Sequence, residues 1–358
     1  MVTVGHRRCV VGPARIGDGP LSRRLSDYDE SDARIRPNRR GTRPRTKQRP
    51  RHENAQQAFV IGVDRGRYTC LIDGDSPAER RILAMRAKEL GRKSIVVGDR
   101  VDVVGDVTGS PGTLARIVRI AERSSVLRRS ADDTDSFERV IVANADHLVI
   151  VCAAADPQPR VGFVDRALVA AYAGDLEPVL LMTKIDLADP AVFVEQYADI
   201  GMQILLRRSN EPVGKIADFL RGGVSVLFGH SGVGKSTLVN ALVPNADRAT
   251  GDVAGLTGKG RHTSSSAIAF ALPGGGFVID TPGIRSLGLG HVDPSMLLAT
   301  FSDLAVGAQQ CPSNCQHLAE EPDCALDDWV AAGHSSVARL RSVRRLLASR
   351  LGVDSLGS

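Results

Sequence analysis

Short runs of apolar and β-branched residues, separated by Gly, Asp and Pro, begin near residue 58. Five such runs fall in the first stretch, at residues 59–61, 68–72, 94–97, 101–104 and 114–118. Their length and spacing predict strands of a small β-barrel over residues 57–126. An OB-like barrel that binds RNA is the natural candidate, although periodicity alone does not separate it from an SH3-like barrel.

The pattern changes from residue 140 onward, where buried-strand runs alternate with helical stretches. Strand runs occur at residues 148–154, 179–182, 224–228 and 277–279, and helical patterns occur at 165–173 and 216–220. This alternation predicts an α/β domain with a mainly parallel sheet, which we assign to residues 127–288.

The last part of the chain, residues 289–358, is polar and predicted to be helical. It ends in an amphipathic segment with apolar residues at helical spacing: Val337, Leu340, Val343, Leu346 and Leu347. The same segment carries Arg339, Arg341, Arg344, Arg345 and Arg350. These arginines either contribute to an RNA-binding surface or form a solvated helix face.

Residues 1–56 lack hydrophobic periodicity and are predicted to form a disordered basic arm. The chain as a whole has a net charge of +5, but residues 34–51 alone carry nine Arg or Lys and no acid. Such a run either contacts nucleic acid or serves as a solvated tail, and the run alone favours neither.

Membrane insertion is not expected, because the longest apolar run, residues 148–155, is only eight residues long. The N-terminus also lacks the apolar core of a signal peptide, so we expect a cytoplasmic protein, and we expect a monomer. Six cysteines in 358 residues do not form a disulfide framework.

A phosphate-binding loop follows the strand run 224–228. It matches G-x-x-x-x-G-K-[ST] and consists of Gly229, His230, Ser231, Gly232, Val233, Gly234, Lys235 and Ser236. A helix opening at Thr237 completes the context that the motif requires, which makes a chance Gly-rich turn improbable. We expect Lys235 to reach the β- and γ-phosphates as a catalytic residue, and the Ser236 hydroxyl to ligate Mg²⁺.

A second nucleotide motif, Asp280-Thr281-Pro282-Gly283, follows the strand run 277–279. Alone it would be an ordinary strand-to-loop turn, but after a phosphate-binding loop it predicts a magnesium site. Asp280 is expected to hold Mg²⁺ directly or through water, and the Gly283 N–H to sense the γ-phosphate.

A guanine-recognition motif, Thr183-Lys184-Ile185-Asp186, follows the strand run 179–182. The Asp186 carboxylate can accept two hydrogen bonds from the guanine edge, which adenine cannot donate, and the stem of Lys184 can cover the base. If it stood alone, the tetrapeptide would indicate guanine recognition and an ordinary surface loop equally well.

The order of these motifs is unusual. An ordinary GTPase carries its base motif after the Asp-Thr-Pro-Gly motif, yet no Lys occurs after Lys259, so no second base motif exists downstream. Either the chain is not a GTPase, or its motifs are circularly permuted to base, phosphate and magnesium. In a permuted chain the loop at residues 280–289 leads directly into the C-terminal domain, which hydrolysis can then move.

The segment 258–265 is a Gly-rich candidate for a mobile switch, and Thr263 is its expected Mg²⁺ ligand. Ile284 follows Gly283 where many GTPases have a water-orienting Gln. Intrinsic hydrolysis is therefore expected to be slow, with the missing group supplied by His262 or by a partner. His262 could equally be a solvent-facing loop residue.

A compact Cys/His cluster consists of Cys311, Cys315, His317 and Cys324. Three thiolates and one imidazole complete the tetrahedral shell of a structural Zn²⁺, which we favour over unconnected thiols.

Together these features resemble the small ribosomal subunit biogenesis GTPases of the RsgA or YjeQ family, over residues 57 to 350. The segments 97–101, 139–146 and 260–263 add to the likeness. The resemblance implies a GTPase that binds the small ribosomal subunit late in assembly, is stimulated by it and is then released, with barrel and zinc domain contacting ribosomal RNA.

The chain departs from the family in its Cys/His spacing. The family has four residues between the first two cysteines and five between His and the last, whereas this chain has three and six. A second class of function also stays open, a nucleotide-binding regulatory module in which hydrolysis is incidental. A GTPase assay with and without small subunits separates the two.

Overall fold

The structure is a computed structural model that describes residues 52–74, 79–91, 93–130, 138–243, 267–281, 287, 289, 292–319 and 321–350. The predicted basic arm, apart from its last few residues, lies outside these ranges, and so does the predicted switch at 258–265.

The N-terminal part is a closed five-stranded barrel. Its strands are β1 (Gln56–Asp64), β2 (Arg67–Ile72), β3 (Arg80–Arg86), β4 (Arg100–Gly105) and β5 (Ala115–Ile120). They pair in the order β1-β2-β3-β5-β4, and β4 pairs back with β1 to close the barrel. Alternate residues such as Val60, Val103 and Ile117 are fully buried inside it. The predicted OB-like barrel is therefore confirmed.

One of the five predicted barrel strands was placed wrongly. Residues 94–97 form a loop, in which the Val96 N–H donates to the Asp99 carboxylate at 2.8 Å instead of to a strand. The missing strand is β3, whose Arg-, Leu-, Ala- and Met-rich sequence is typical of a helix. The barrel overrides that propensity because Ile82 and Ala84 alternate into its core, while Met85 faces outward.

A short antiparallel pair, β6 (Val126–Ser130) and β7 (Glu138–Ala143), follows the barrel. The main sheet then comprises β8 (His147–Ala153), β9 (Glu177–Thr183), β10 (Gln203–Leu206), β11 (Val224–Phe228), β12 (Ile268–Ala271) and β13 (Phe277–Asp280). Strands β10-β9-β8-β11-β13 run parallel in that order, with β12 antiparallel at the edge. A single pairing of Gly62 in β1 with Ile268 in β12 joins the barrel to this sheet.

The described helices are α1 (Val161–Ala173), α2 (Ala191–Glu195), α3 (Gly214–Leu220), α4 (Lys235–Leu242), α5 (Pro294–Ala299), α6 (Ser302–Ala308), α7 (Ala325–Ala331) and α8 (Val337–Arg350). Short 3₁₀ turns occur at Lys88–Leu90 and Ala198–Ile200. Across the ranges given above, every helix falls short of the length and apolar character that a bilayer crossing requires.

The strand order places a crevice at the carboxyl ends of β8 and β11. From β8 the chain moves outward to β9 and β10, whereas from β11 it moves to β13 on the other side. Ligands of open α/β sheets bind outside the carboxyl ends of the strands at such a reversal. The phosphate and base motifs both follow strands that end at this edge.

The barrel is fixed to the α/β part by a close backbone contact. The Asn144 side-chain amide donates to the Gly98 carbonyl at 2.9 Å, and the Ala143 N–H donates to the Val97 carbonyl at 3.0 Å. Gly98 has φ +91°, and a Cβ there would lie 1.9 Å from the Ala143 oxygen. Only glycine fits this joint.

The C-terminal helices share one continuous core with α1. On α8, Leu340, Val343, Leu346 and Leu347 are buried as the amphipathic pattern predicts, whereas Val337 is 65% exposed. Their cluster includes Leu168 and other apolar residues of α1. Apolar burial of this kind supplies most of the free energy of docking.

Candidate guanine-nucleotide and metal sites

The phosphate-binding loop has the backbone that an anion site requires. Gly232 and Gly234 have φ of +83° and +95°, which side chains rarely tolerate, and Gly234 caps the start of α4. A Cβ on Gly229 would lie 2.4 Å from the Val151 carbonyl oxygen. The loop therefore curls tightly between β11 and α4, and the N-terminus of α4 points at the crevice with its partial positive charge.

Lys235 lies folded over this loop. Its ammonium donates to the Gly229 carbonyl and, at 2.7 Å, to the His230 carbonyl. Burial lowers the pKa of Lys235, and the neighbouring charge of Asp280 opposes that shift. A cation held at this point, within reach of the crevice, is suited to bind phosphate oxygens. Ser236 and Thr237 follow it on the first turn of α4 and are exposed.

Asp280 ends β13 on the other side of the loop. Its Oδ1 atom is buried and has no hydrogen-bond partner among the described residues. Burial raises the pKa of Asp280, and the positive charge of Lys235 opposes the shift. A buried carboxylate oxygen without a donor fits a hydrated Mg²⁺, whose positive charge would satisfy it. Thr281 is locked beside it, because its hydroxyl donates to the Leu227 carbonyl at 2.8 Å.

Thr183 connects the base motif to the phosphate-binding loop. Its hydroxyl lies 2.7 Å from the Val233 carbonyl oxygen and 3.2 Å from that of Cys152, and the side chain is 3% exposed. One hydroxyl hydrogen serves these two acceptors, so the shorter contact is the stronger one. The Thr183–Val233 hydrogen bond therefore fixes the distance between the base motif and the phosphate-binding loop, which follow the strands on either side of β8.

The rest of the base motif opens toward solvent. Lys184 adopts φ +54°, and its ammonium donates to the Asp156 carbonyl in the loop after β8. Asp186 is exposed, and its Oδ1 accepts hydrogen bonds from the Ser209 N–H at 2.7 Å and the Ser209 hydroxyl at 2.9 Å. These bonds lower the pKa of Asp186, so the carboxylate stays charged and oriented.

Ser209 is a site residue that the sequence patterns did not reveal. A usable signal was present, since Ser209 comes three residues after the end of β10, at the same sheet edge as the other motifs. The run that forms β10 is only four residues long, and for that reason it does not stand out in the sequence.

His230 packs against α1. Its ring centroid lies 4.2 Å from that of Phe163, which in turn stacks on Phe228 at 4.9 Å. Partial burial, and then the positive charges of Arg160 and Lys235, lower the pKa of His230. The lowered pKa favours the neutral imidazole, whose ring supports the loop through its contact with Phe163.

The four predicted zinc ligands converge despite their unusual spacing. The ligand atoms of Cys311, Cys315, His317 and Cys324 all lie within 4.8 Å of one another. Two gaps are 3.4 Å, from Cys315 Sγ to His317 Nδ1, and 4.0 Å, from Cys324 Sγ to the same nitrogen. Burial first, and then the other thiols, raise the pKa of Cys315 to about 12. Thiols crowded in this way ionise readily only around a cation, and a Cys₃His set fits Zn²⁺.

Arg344 of α8 supports this cluster. Its guanidinium forms a bidentate pair with Asp327 at 2.8 and 2.7 Å, and it lies 3.7 Å from Cys324 Sγ. A cation next to a thiolate orients the ligand and offsets the negative charge of a Cys₃His zinc site.

Three predicted site residues lie outside the described residues: His262, Thr263 and Gly283. Their expected roles remain predictions. Among the others, the structure brings the phosphate loop, Asp280, Thr183, Lys184 and Asp186 to one edge of one sheet, although the base motif precedes the loop by more than forty residues in the chain.

A nucleotide crevice that is assembled in this chain order defines a circularly permuted GTPase. Solved structures share the fold. The chain matches YloQ, described as a circularly permuted GTPase, with a TM-score of 0.60 at 23% identity, covering 85% of this chain and 97% of that one. It matches YjeQ from Thermotoga maritima with a TM-score of 0.59 at 25% identity, covering 83% and 99%.

Comparison with related sequences shows which family of circularly permuted GTPases this chain resembles. Residues 120–290 match the family model of the RsgA GTPase. A small ribosomal subunit biogenesis GTPase RsgA from Chlorobaculum parvum is 34% identical over 287 residues, which covers 77% of this chain and 92% of the relative. One from Pseudomonas aeruginosa is 36% identical over 272 residues, covering 73% and 77%. The chain belongs to the RsgA family of GTPases, and it hydrolyses GTP.

Proposed function

We propose that this GTPase acts in biogenesis of the small ribosomal subunit, binds that subunit in its GTP form, is stimulated by it and leaves after hydrolysis. The observation that carries the proposal is the similarity to relatives of that name, one of which aligns over 92% of its own length. Release on hydrolysis is inferred from the permuted order, because the loop after Asp280 leads directly into the C-terminal helices.

Nucleotide recognition divides between two sides of the crevice. On the base side, Asp186 accepts hydrogen bonds from guanine, with Lys184 covering the ring. On the phosphate side, the N–H groups of the loop and Lys235 hold the phosphates. Ser236, Asp280 and Thr263 would hold Mg²⁺, and the ion would supply positive charge against the charge that develops on the transferred phosphoryl group.

Water activation needs a group beyond those in the described crevice. Ile284 occupies the position after Gly283 and cannot orient water, so we propose that His262, or a group of the bound subunit, does so when the small subunit is bound. Hydrolysis by the free protein is then slow, and binding of the subunit is the trigger.

Zinc in the cluster Cys311, Cys315, His317 and Cys324 is proposed as structural, because the four protein ligands leave no open position. We assign residues 57–126 and the zinc domain to contacts with ribosomal RNA. Three of the five final arginines have intramolecular partners and so contribute less to that surface than the sequence suggested. Arg339 pairs with Asp303, Arg344 with Asp327 and Arg345 with Asp165.

Co-sedimentation tests this proposal. Purified small subunits are pelleted with the protein in the presence of a non-hydrolysable GTP analogue, GDP or no nucleotide, over a salt series. We expect most protein in the pellet with the analogue and a loss of binding as salt rises, since RNA contacts release counterions. Binding that is equal with GDP and the analogue would contradict a GTP-dependent cycle. Binding only to the large subunit would contradict the choice of partner.

A further inference from the structure

A buried ion pair fastens the C-terminal helix to the GTPase core. Arg345 Nε of α8 lies 2.7 Å from Asp165 Oδ2 of α1, and Asp165 is 1% exposed. The guanidinium also lies over the ring of the fully buried Tyr197, 5.0 Å from its centroid, and donates to the Gln196 carbonyl at 3.3 Å. Buried pairs of this kind contribute little net stability but define one geometry.

Arg339, less than two turns earlier on α8, reaches the same region. It pairs with Asp303 of α6 at 2.9 Å and donates to the Asp199 carbonyl. Both arginines therefore hold residues 196–199, a segment of the α/β domain that neither belongs to the phosphate-binding loop nor touches Asp280.

That segment is the continuation of the base motif. Thr183–Asp186 leads through Pro190 and α2 to Tyr197, whose ring contacts that of Phe193 in α2 at 5.5 Å. Between the base motif and α2 lies a solvent-open pocket of about 510 Å³, lined by apolar residues such as Ile185 and Val194 and by the charged Asp186, Asp189 and Arg208. A loop that borders an open pocket has fewer packing partners on that side.

The base loop consequently depends on a few supports. Ser209 holds Asp186, and the Asp156 carbonyl holds Lys184. Tyr197 packs against Phe193 of α2, and it is held in turn by the 3.2 Å hydrogen bond from its hydroxyl to the Val161 carbonyl and by the Arg345 guanidinium over its ring. Leu187, at the tip of the loop, is 59% exposed and adds little anchoring.

We propose that Arg345 is a positioning residue for guanine recognition, acting through Asp165, Tyr197 and α2 on the loop that carries Asp186. The inference rests on the proposed role of Asp186. The C-terminal helices are then connected to the nucleotide site in two ways. One connection runs through Arg345 to the base motif, and the other runs through the loop after Asp280 to the phosphate side. Since GDP and GTP share the base, the effect is the same for both nucleotides.

Inosine diphosphate provides the test, because it lacks the guanine 2-amino group but keeps the phosphates. Equilibrium dissociation constants for GDP, inosine diphosphate and a GTP analogue are measured for the wild type and Arg345→Met. Arg341→Met is the matched control, since Arg341 lies on the same helix and is exposed. We expect the preference for GDP over inosine diphosphate to fall about fivefold or more in Arg345→Met. GDP and the GTP analogue should weaken by one common factor, and Arg341→Met should bind as the wild type does.

Three other outcomes would overturn the inference. An unchanged GDP preference in Arg345→Met, even with weaker overall binding, would show a merely structural role and overturn the inference. A loss confined to the GTP analogue would also overturn it. A wild type that does not prefer GDP over inosine diphosphate would overturn guanine recognition by Asp186 and this inference with it. If Arg345→Met does not fold, Asp165→Asn keeps the side-chain volume and carries the same expectation.

Discussion

The Thr183 hydroxyl donates to the Val233 carbonyl at 2.7 Å, so the base motif and the phosphate-binding loop are tied by one buried hydrogen bond. The two residues lie 50 positions apart in the chain. Circular permutation reversed the order of their motifs but left them on the ends of strands that flank β8. The geometry of the crevice is therefore set by the sheet and not by the chain order.

Replacing Thr183 tests this tie. Thr183→Val keeps the shape but leaves the Val233 carbonyl without its donor, at a cost of about 1–2 kcal/mol. We expect GDP binding to weaken roughly fivefold to thirtyfold, measured by titration of a fluorescent GDP analogue. Thr183→Ser retains the hydroxyl and is the control. Equal affinities of the Val and Ser variants would argue against the hydrogen bond as the link.

Lys235→Ala and Ser236→Ala are expected to abolish GTP hydrolysis without unfolding the protein. Lys235 contacts only loop carbonyls within the described structure, and Ser236 is exposed, so neither supports the core. Both act on phosphate and Mg²⁺. Phosphate release and thermal unfolding are measured side by side. Normal turnover by either variant with an intact fold would refute the phosphate-site assignment.

One zinc ion per chain is expected in the protein as purified, and elemental analysis measures it. Cys324→Ser should reduce the metal content to near zero, whereas the buried Cys152→Ser lies outside the cluster and should not. Removing the metal should increase hydrogen exchange in α6 and α7 well before β8 and β9, because metal binding is coupled to local folding. A metal content near zero in folded wild type would exclude the zinc assignment.

The free energy of unfolding should depend on pH through the titration of Asp165. Burial raises the pKa of Asp165 to about 6 against an opposing effect of Arg345, whereas the unfolded chain has a value near 3.8. The folded state thus binds a proton that the unfolded chain releases. Lowering the pH from 7 to 5 should stabilise the wild type relative to Asp165→Asn, by about 1 kcal/mol. Urea unfolding at each pH measures this difference, and a difference that grows with rising pH would contradict it.

Local signals predicted most of the site. The strand, Gly-rich loop and helix around Lys235 are contiguous, and the four Cys/His ligands fall within 14 residues, so pattern and chemistry coincide in short windows. The permuted order was also readable, because Lys is missing after Lys259. The altered Cys/His spacing did not prevent convergence, because the four ligand atoms lie within 4.8 Å of one another.

Long-range contacts were not readable from the sequence. Arg345 and Asp165 are 180 residues apart, and the arginines of α8 looked like a solvated or RNA-binding face until their intramolecular partners were placed. Strand β3 was missed because its residues favour a helix, and the barrel alone supplies the pairing that overrides them. Ser209 was missed because its role depends on the position of β10 beside β9.

The rate of GTP hydrolysis with and without purified small ribosomal subunits tests the central claim most directly. It is measured as phosphate release under single-turnover conditions at low salt, with large subunits as the control. We expect slow release by the free protein and acceleration well beyond tenfold by small subunits, equivalent to a barrier lowered by more than about 1.4 kcal/mol. His262→Ala should lose that acceleration while still binding the subunit if His262 orients the water. No acceleration by small subunits, or an equal effect of large ones, would contradict the account and favour a regulatory module in which hydrolysis is incidental.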